Sequence, residues 1–245
     1  MKAMEGQSAT WTQRLGAAVL LAISMACAHA QTTTTDPRDP FEGFNRAVYA
    51  FNDVVDRALV KPVAQAYTKV VPPVIRKGVG NFFGNLGDVW SVVNNAATGR
   101  GQATGDSVGR VLVNSTVGLL GLIDVASEMD IQKHPADFGM TLGRWGVSPG
   151  PYVVLPLLGS STLREIVALP VDRQGNLVNH VDDQNIRDGL TLLNITDIRA
   201  SYLKAGDVVD AAALDSYAFT RDSYLQRQRY RQYDGEVPEE PEAPQ

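Results

Sequence analysis

The side chains able to do covalent or metal chemistry are few and scattered. Beyond residue 30 the chain has two histidines, His134 and His180, and no cysteine. His134 precedes Pro135 and has Asp137 nearby, which suits a surface or capping histidine. A metal site needs three or four ligands at fitting spacing, and neither an HExxH pair nor a Cys–His array occurs. Gly159-Ser160-Ser161 lacks the G-x-S-x-G elbow of a serine nucleophile. Gly78-Val79-Gly80 is not followed by the third glycine of a dinucleotide loop, and there is no Walker sequence. A lipid-acting hydrolase using His134 and Ser160 is the least supported reading. The expectation is no catalytic residue, no metal and no cofactor.

Binding, transport or scaffolding remain, and these depend on the elements. The length of 245 residues suits one ordinary domain, and 44% hydrophobic content against 20% charged content favours a folded chain. A formal net charge of −5 argues against nucleic acid, which needs a basic footprint. The most unusual stretch runs from His134 to Glu165. It is apolar yet holds five glycines and four prolines. Gly139, Gly143, Gly146 and Gly150 would share one helical face, while Pro149, Pro151 and Pro156 forbid a continuous helix. Tyr152 to Leu158 is the one good short strand candidate.

Elsewhere the periodicity is helical. Asp39, Pro40 and Glu42 predict an N-cap, first position and capping box, followed by the stripe Phe41, Phe44, Val48, Phe51, Val55 and Leu59. Pro62 ends that helix or starts the next, and Pro72-Pro73 breaks the chain again. Ile75, Val79, Phe82, Leu86 and Val89 form another stripe, with Trp90 to Ala97 continuing it into a turn at Thr98 to Gly101. Asp106 to Val125 reads as one apolar helix. Residues 169–183 read as irregular, 184–196 and 197–205 as short helices, and 208–233 as one long helix with Tyr217 inward and Arg221, Arg227, Arg229 and Arg231 outward. Those arginines, interleaved with Tyr224, Tyr230 and Tyr233, suit either a solvated face or a basic, aromatic surface near lipid phosphates.

The ends are distinct. Lys2 and Arg14 precede an apolar run from Leu15 to Ala28, and Ala28-His29-Ala30 fits a secretory cleavage site. The rival reading cuts before Cys27 and lipidates it, although Ser24-Met25-Ala26 suits that poorly. Residues 1–30 are thus a signal, 31–38 a polar linker, 39–233 the folded domain and 234–245 an acidic disordered tail. No later segment is apolar and long enough to cross a bilayer as a simple helix. Glycine inside a helix costs about 1 kcal/mol relative to alanine, so the many in-helix glycines point to close helix contact in a lipid-like setting.

Several blocks resemble the MlaA (VacJ) family: Asp39 to Arg46 with Tyr49 and Phe51-Asn52, Arg57 to Pro62, Asn81 to Leu86, Arg110 to Asp124, and Asp222 to Arg227. The stretch first singled out carries another, with Phe138-Gly139, Thr141-Leu142-Gly143, Trp145-Gly146-Val147, Gly150-Pro151-Tyr152-Val153 and Leu155-Pro156. The resemblance implies an all-α, single-domain helical ring with little or no β structure. It implies a place on the periplasmic side of the outer membrane, embedded in the inner leaflet, often as a lipoprotein. It also implies an amphipathic channel that removes mislocalised phospholipid, a trimeric porin partner, and delivery to the periplasmic carrier MlaC. On that basis Gly139, Leu142, Gly143, Trp145, Gly146, Gly150 and Tyr152 are membrane or channel candidates, Trp145 and Tyr152 as interface aromatics, and Cys27 a candidate lipid anchor. A non-transporting envelope tether is the alternative.

Overall fold

The computed structural model describes residues 36–235. The predicted signal, Cys27, most of the polar linker and all but the start of the acidic tail lie outside them. The fold is all-α apart from one two-stranded hairpin.

Helix α1, Glu42–Val55, starts later than the capping pattern predicts. Asp39 does not cap it. Its carboxylate is fully buried and accepts instead from Asn45 Nδ2 at 2.7 Å and the Tyr217 hydroxyl at 2.5 Å. Glu42 pairs forward with Arg46 rather than reaching back. A π-helical turn, Asp56–Val60, leads into α2, Lys61–Val70. That turn is fixed by Arg199, whose guanidinium meets both Asp56 oxygens at 2.7 Å. After the break at Val71 and Pro72, α3 runs from Pro73 to Ala97 and turns at Thr98–Gly99 into α4, Gly101–Thr116.

The apolar helix expected over 106–125 begins earlier and stops at Thr116. The Asn114 carbonyl accepts from Gly121 N at 2.7 Å, and Gly118 O accepts from Ile123 N at 2.9 Å, closing a loop that leaves Leu119 and Leu120 left-handed at φ 52° and 59°. Gly118 is required there, because a Cβ would lie 2.2 Å from Ile123 O. Two short helices follow: α5, Val125–Glu128, capped by Asp124, and α6, Phe138–Arg144, capped by Asp137. Strand β1, Tyr152–Leu155, pairs antiparallel with β2, Gly159–Thr162. Two asparagines of α1 lie along β1: Asn45 donates to Tyr152 O and accepts from Val154 N, and Asn52 donates to Leu155 O and accepts from Leu157 N.

Helix α7, Leu163–Gly175, passes through Pro170, where the sequence predicts irregular chain. Tertiary contact overrides the proline: Asp172 accepts from Trp90 Nε1 at 2.8 Å, and Gly175 lies flat against the Trp90 indole. A 3₁₀ turn, Leu177–His180, precedes α8, Gln184–Ser201, one helix rather than two. The predicted long terminal helix divides into α9, Leu203–Ala212, and α10, Ser216–Gln232. The division falls where Asp215 caps Ala218 N and binds Arg46 at 2.7 Å.

The interior is inverted. The buried apolar cluster is small, Val48, Tyr152, Val154 and Tyr217. The buried face of α3 is instead Asn85, Asp88, Ser91, Asn94 and Asn95, and that of α4 is Ala103, Ser107, Arg110 and Asn114. Buried polar groups need partners. Arg110 donates to Asp88, Ser127 Oγ, Ile131 O and both oxygens of Asp124, and Asn95 donates to His134 O and Ser107 Oγ. Meanwhile Val54, Leu59, Val70, Val74, Leu112, Val117, Leu120 and Leu192 are all more than half exposed. Among the described residues no helix is long and apolar enough to cross a membrane.

Candidate functional site

Elements distant in sequence line an open cavity of about 710 Å³. Helix α3 supplies Asp88, Trp90 and Ser91, and the chain before α6 supplies Lys133 and Asp137. The hairpin contributes Leu155, Leu158, Ser160 and Ser161; α7 contributes Glu165, Ile166, Leu169 and Asp172; and α10 contributes Tyr224, Gln228 and Arg231. One part of the wall is therefore aliphatic and another is charged or hydrogen-bonding.

The charged groups are mostly held. Asp88 meets Arg110 at 3.3 Å and Lys133 at 3.5 Å. Asp137 caps α6 at Met140 N, 2.7 Å, and pairs with Arg231 at 2.9 Å. Burial raises the Asp172 carboxyl, opposed by the donors Phe138 N and Trp90 Nε1. Burial, reinforced by Asp137, pushes Glu165 up to about 7 against the pull of Arg164 and Arg231. Its oxygens accept from the Tyr224 hydroxyl and the Gln228 amide.

The residues singled out from sequence have other duties. Gly139 and Gly143 lie on α6, and both allow close packing. A Cβ on Gly139 would sit 3.0 Å from Glu165 Cγ, and one on Gly143 would sit 2.6 Å from an Arg164 guanidinium nitrogen. Leu142 is half-buried on the same helix. Gly146 and Gly150 lie beyond α6 with positive φ, so the four glycines do not form one helical face. Tyr152 is fully buried, with its hydroxyl 2.8 Å from Ser160 Oγ, and so is not an interface aromatic. Trp145 is exposed, stacks edge-on to Phe138 at 6.2 Å and donates to Ala97 O. None of these lines the cavity; Asp137, Ser160, Ser161 and Glu165, from the same stretch, do.

The terminal arginines also differ from expectation. Arg221 is buried, reaching Asp39 at 3.4 Å and Asp36 at 3.4 Å, and Arg231 is committed to Asp137. Arg144 joins the end of α10, donating to the carbonyls of Arg231 and Gln232 and to Asp234. His134 binds Asp106 at 2.8 Å, a structural contact. Among the described residues no group of three or more His, Cys, Asp or Glu could hold a metal ion. Sequence reasoning gave Glu165 and Arg110 no role of their own and placed the buried Arg221 outward. The available signal was a charge set inside an apolar helical run, as Arg110 is between Val108 and Val111.

Comparison with known proteins agrees with this architecture. The MlaA lipoprotein family model matches residues 37–231. The Escherichia coli K12 intermembrane phospholipid transport system lipoprotein MlaA is 35% identical over 217 residues, covering 87% of this chain and 86% of that protein. The Haemophilus influenzae lipoprotein of the same description is 30% identical over 243 residues, covering 95% of each. An uncharacterized Rickettsia prowazekii protein is 41% identical over 128 residues, 52% of this chain, a match that spans about half (51%) of that relative's length. A solved structure from work on the structural basis for maintenance of bacterial outer membrane lipid asymmetry superposes with a TM-score of 0.70 at 33% identity, covering 79% of this chain and 98% of that one. With its helical fold, its inverted interior and these matches over most of its length, the chain belongs to the MlaA lipoprotein family.

Proposed function

We propose that the protein is a non-enzymatic phospholipid transporter, embedded in the inner leaflet of the outer membrane on its periplasmic side. The cavity is its lipid path. Phospholipid misplaced in the outer leaflet enters it and passes to a soluble periplasmic carrier of the MlaC kind, with a trimeric porin as membrane partner. This preserves lipid asymmetry. Residues 1–30 act as the export signal, with Cys27 as the site of an acyl anchor if cleavage falls before it.

The observation that carries this reading is the inversion of polarity. Apolar side chains on α1, α2, α3, α4 and the 117–123 loop face outward, while polar and charged residues fill the interior and part of the cavity wall. A lipid headgroup crossing hydrocarbon loses its hydration at high cost. The polar part of the wall lowers that cost, and the larger aliphatic part suits acyl chains. Helices that do not span can rest in one leaflet through their apolar faces. Exposed Trp145 and the apolar tip around Leu120 fit that placement.

Deleting the gene should raise the phospholipid content of the outer leaflet, and restoring it in trans should reverse this. Unchanged asymmetry in the deletion strain contradicts the reading.

A further inference from the structure

We propose that Glu165 and Gln228 form a headgroup-reading pair on the cavity wall that takes a primary ammonium, so that amine-bearing phospholipids are preferred over choline- or glycerol-bearing ones. This rests on the cavity being the lipid path. Glu165 stands in the first turn of α7, and its carboxylate accepts from neutral donors, the Tyr224 hydroxyl and the Gln228 amide nitrogen on α10 and the backbone N–H of Thr162. Of the other carboxylates of the wall, Asp88 has Arg110 and Lys133 and Asp137 has Arg231; Asp172, like Glu165, has neutral donors, an indole N–H and a backbone N–H, but among the described residues no orphaned acceptor stands beside it. Among the described residues Glu165 is in no ion pair. Gln228, having turned its nitrogen to Glu165, leaves its Oε1 buried with no hydrogen-bond partner.

The wall therefore presents a carboxyl that an adjacent ammonium would hold ionised, beside a neutral acceptor with no donor of its own. A primary ammonium carries a charge and three N–H groups, which serve both. A quaternary choline has no N–H to give, and a glycerol headgroup brings no positive charge. Arg231, which pairs with Asp137 at 2.9 Å, lies on the same wall, and a guanidinium has five N–H groups, so it can also meet the adjoining phosphate. Leu158 and Ile166, also on the wall, favour an intact lipid over a free amine.

The test uses the full chain with photoreactive benzoylphenylalanine at Leu158. The protein is held in micelles containing equal amounts of phosphatidylethanolamine, phosphatidylcholine and phosphatidylglycerol. Adducts are identified by mass, which separates intact lipid from free amine. Ethanolamine-lipid adducts should exceed choline-lipid adducts by about tenfold, the scale of one charge-assisted hydrogen bond. In Glu165→Gln the ratio should fall to that of supply while total adduct yield holds. Adducts at the supply ratio in the unsubstituted cavity, or a preference that survives Glu165→Gln, overturn the proposal but leave the lipid path standing. Absence of any lipid adduct overturns both.

Discussion

Arg110 and Asp124 meet at 2.9 Å, one guanidinium nitrogen reaching both carboxylate oxygens, with the arginine only 2% exposed. Burial alone would raise the Asp124 carboxyl, but Ser127, Asn114 and Arg110 together hold it at about 2. An ion pair inside and leucines outside is the reverse of an ordinary soluble core. It ties α4 to the loop that follows it and to α5.

Arg110→Ala should destabilise the fold by about 3–5 kcal/mol, because it leaves Asp124 without its cation and Asp88 with only the looser Lys133 contact at 3.5 Å. Arg110→Lys should recover only part of this, since one ammonium cannot reproduce the four-partner fork. Chemical denaturation in detergent reads both. A shift within error for Arg110→Ala would remove the pair from the account.

Two glycine substitutions separate packing from open space. Gly175→Ala drives a methyl into the Trp90 indole, 2.1 Å from its nearest ring carbon, and should cost about 1–3 kcal/mol. Gly189→Ala, on α8 with nothing within 4 Å, should be neutral or stabilise by up to about 1 kcal/mol. Melting curves of the two variants should move in opposite directions or differ clearly in size.

Helix existence was legible in the sequence because apolar stripes at three- and four-residue steps survive whichever way they face. The direction was not, since outward Val74 and Leu112 give the same periodicity as core positions. Boundaries failed where distant residues intervene. Asp39 is claimed by Tyr217, more than 170 residues on, so it cannot cap α1. Pro170 should break a helix, yet Trp90 and Asp172 hold α7 through it. The His134–Glu165 stretch did lead to the cavity, but through Asp137, Ser160 and Glu165 with Leu155 and Leu158, not through its glycines. Gly139 and Gly143 mark where α6 packs against Glu165 and Arg164.

Membrane attachment should depend on the outward apolar residues. In a Cys27→Ser background, which removes any acyl anchor, Val74→Asp and Leu120→Asp should each weaken retention on phospholipid vesicles by about tenfold or more. That matches the roughly 1.5–3 kcal/mol of burying one such side chain. Vesicle flotation measures it; equal flotation for all three proteins would argue against leaflet insertion through these faces.

Glu165 gives a pH signature. Its folded value near 7 lies above the ordinary carboxyl value of 4.5, so the folded state holds a proton that the unfolded state has released. Stability from this group is therefore full below about pH 4.5 and falls as pH rises towards 7. Glu165→Gln should remove that slope, giving a higher melting temperature than the parent at pH 8 and little difference at pH 4.5. Parallel curves across this range would contradict it.

The most direct test of the lipid path fills the cavity without disturbing the fold. Gly87 lies on the cavity wall, and a Cβ there meets nothing within 4 Å; Gly105, off the wall, is equally open. Outer-leaflet phospholipid is measured in deletion cells carrying Gly87→Trp or Gly105→Trp, at equal protein level in the membrane. The account predicts that Gly87→Trp leaves outer-leaflet phospholipid as high as in the deletion strain, while Gly105→Trp restores asymmetry. Full restoration by Gly87→Trp would contradict the cavity as the path.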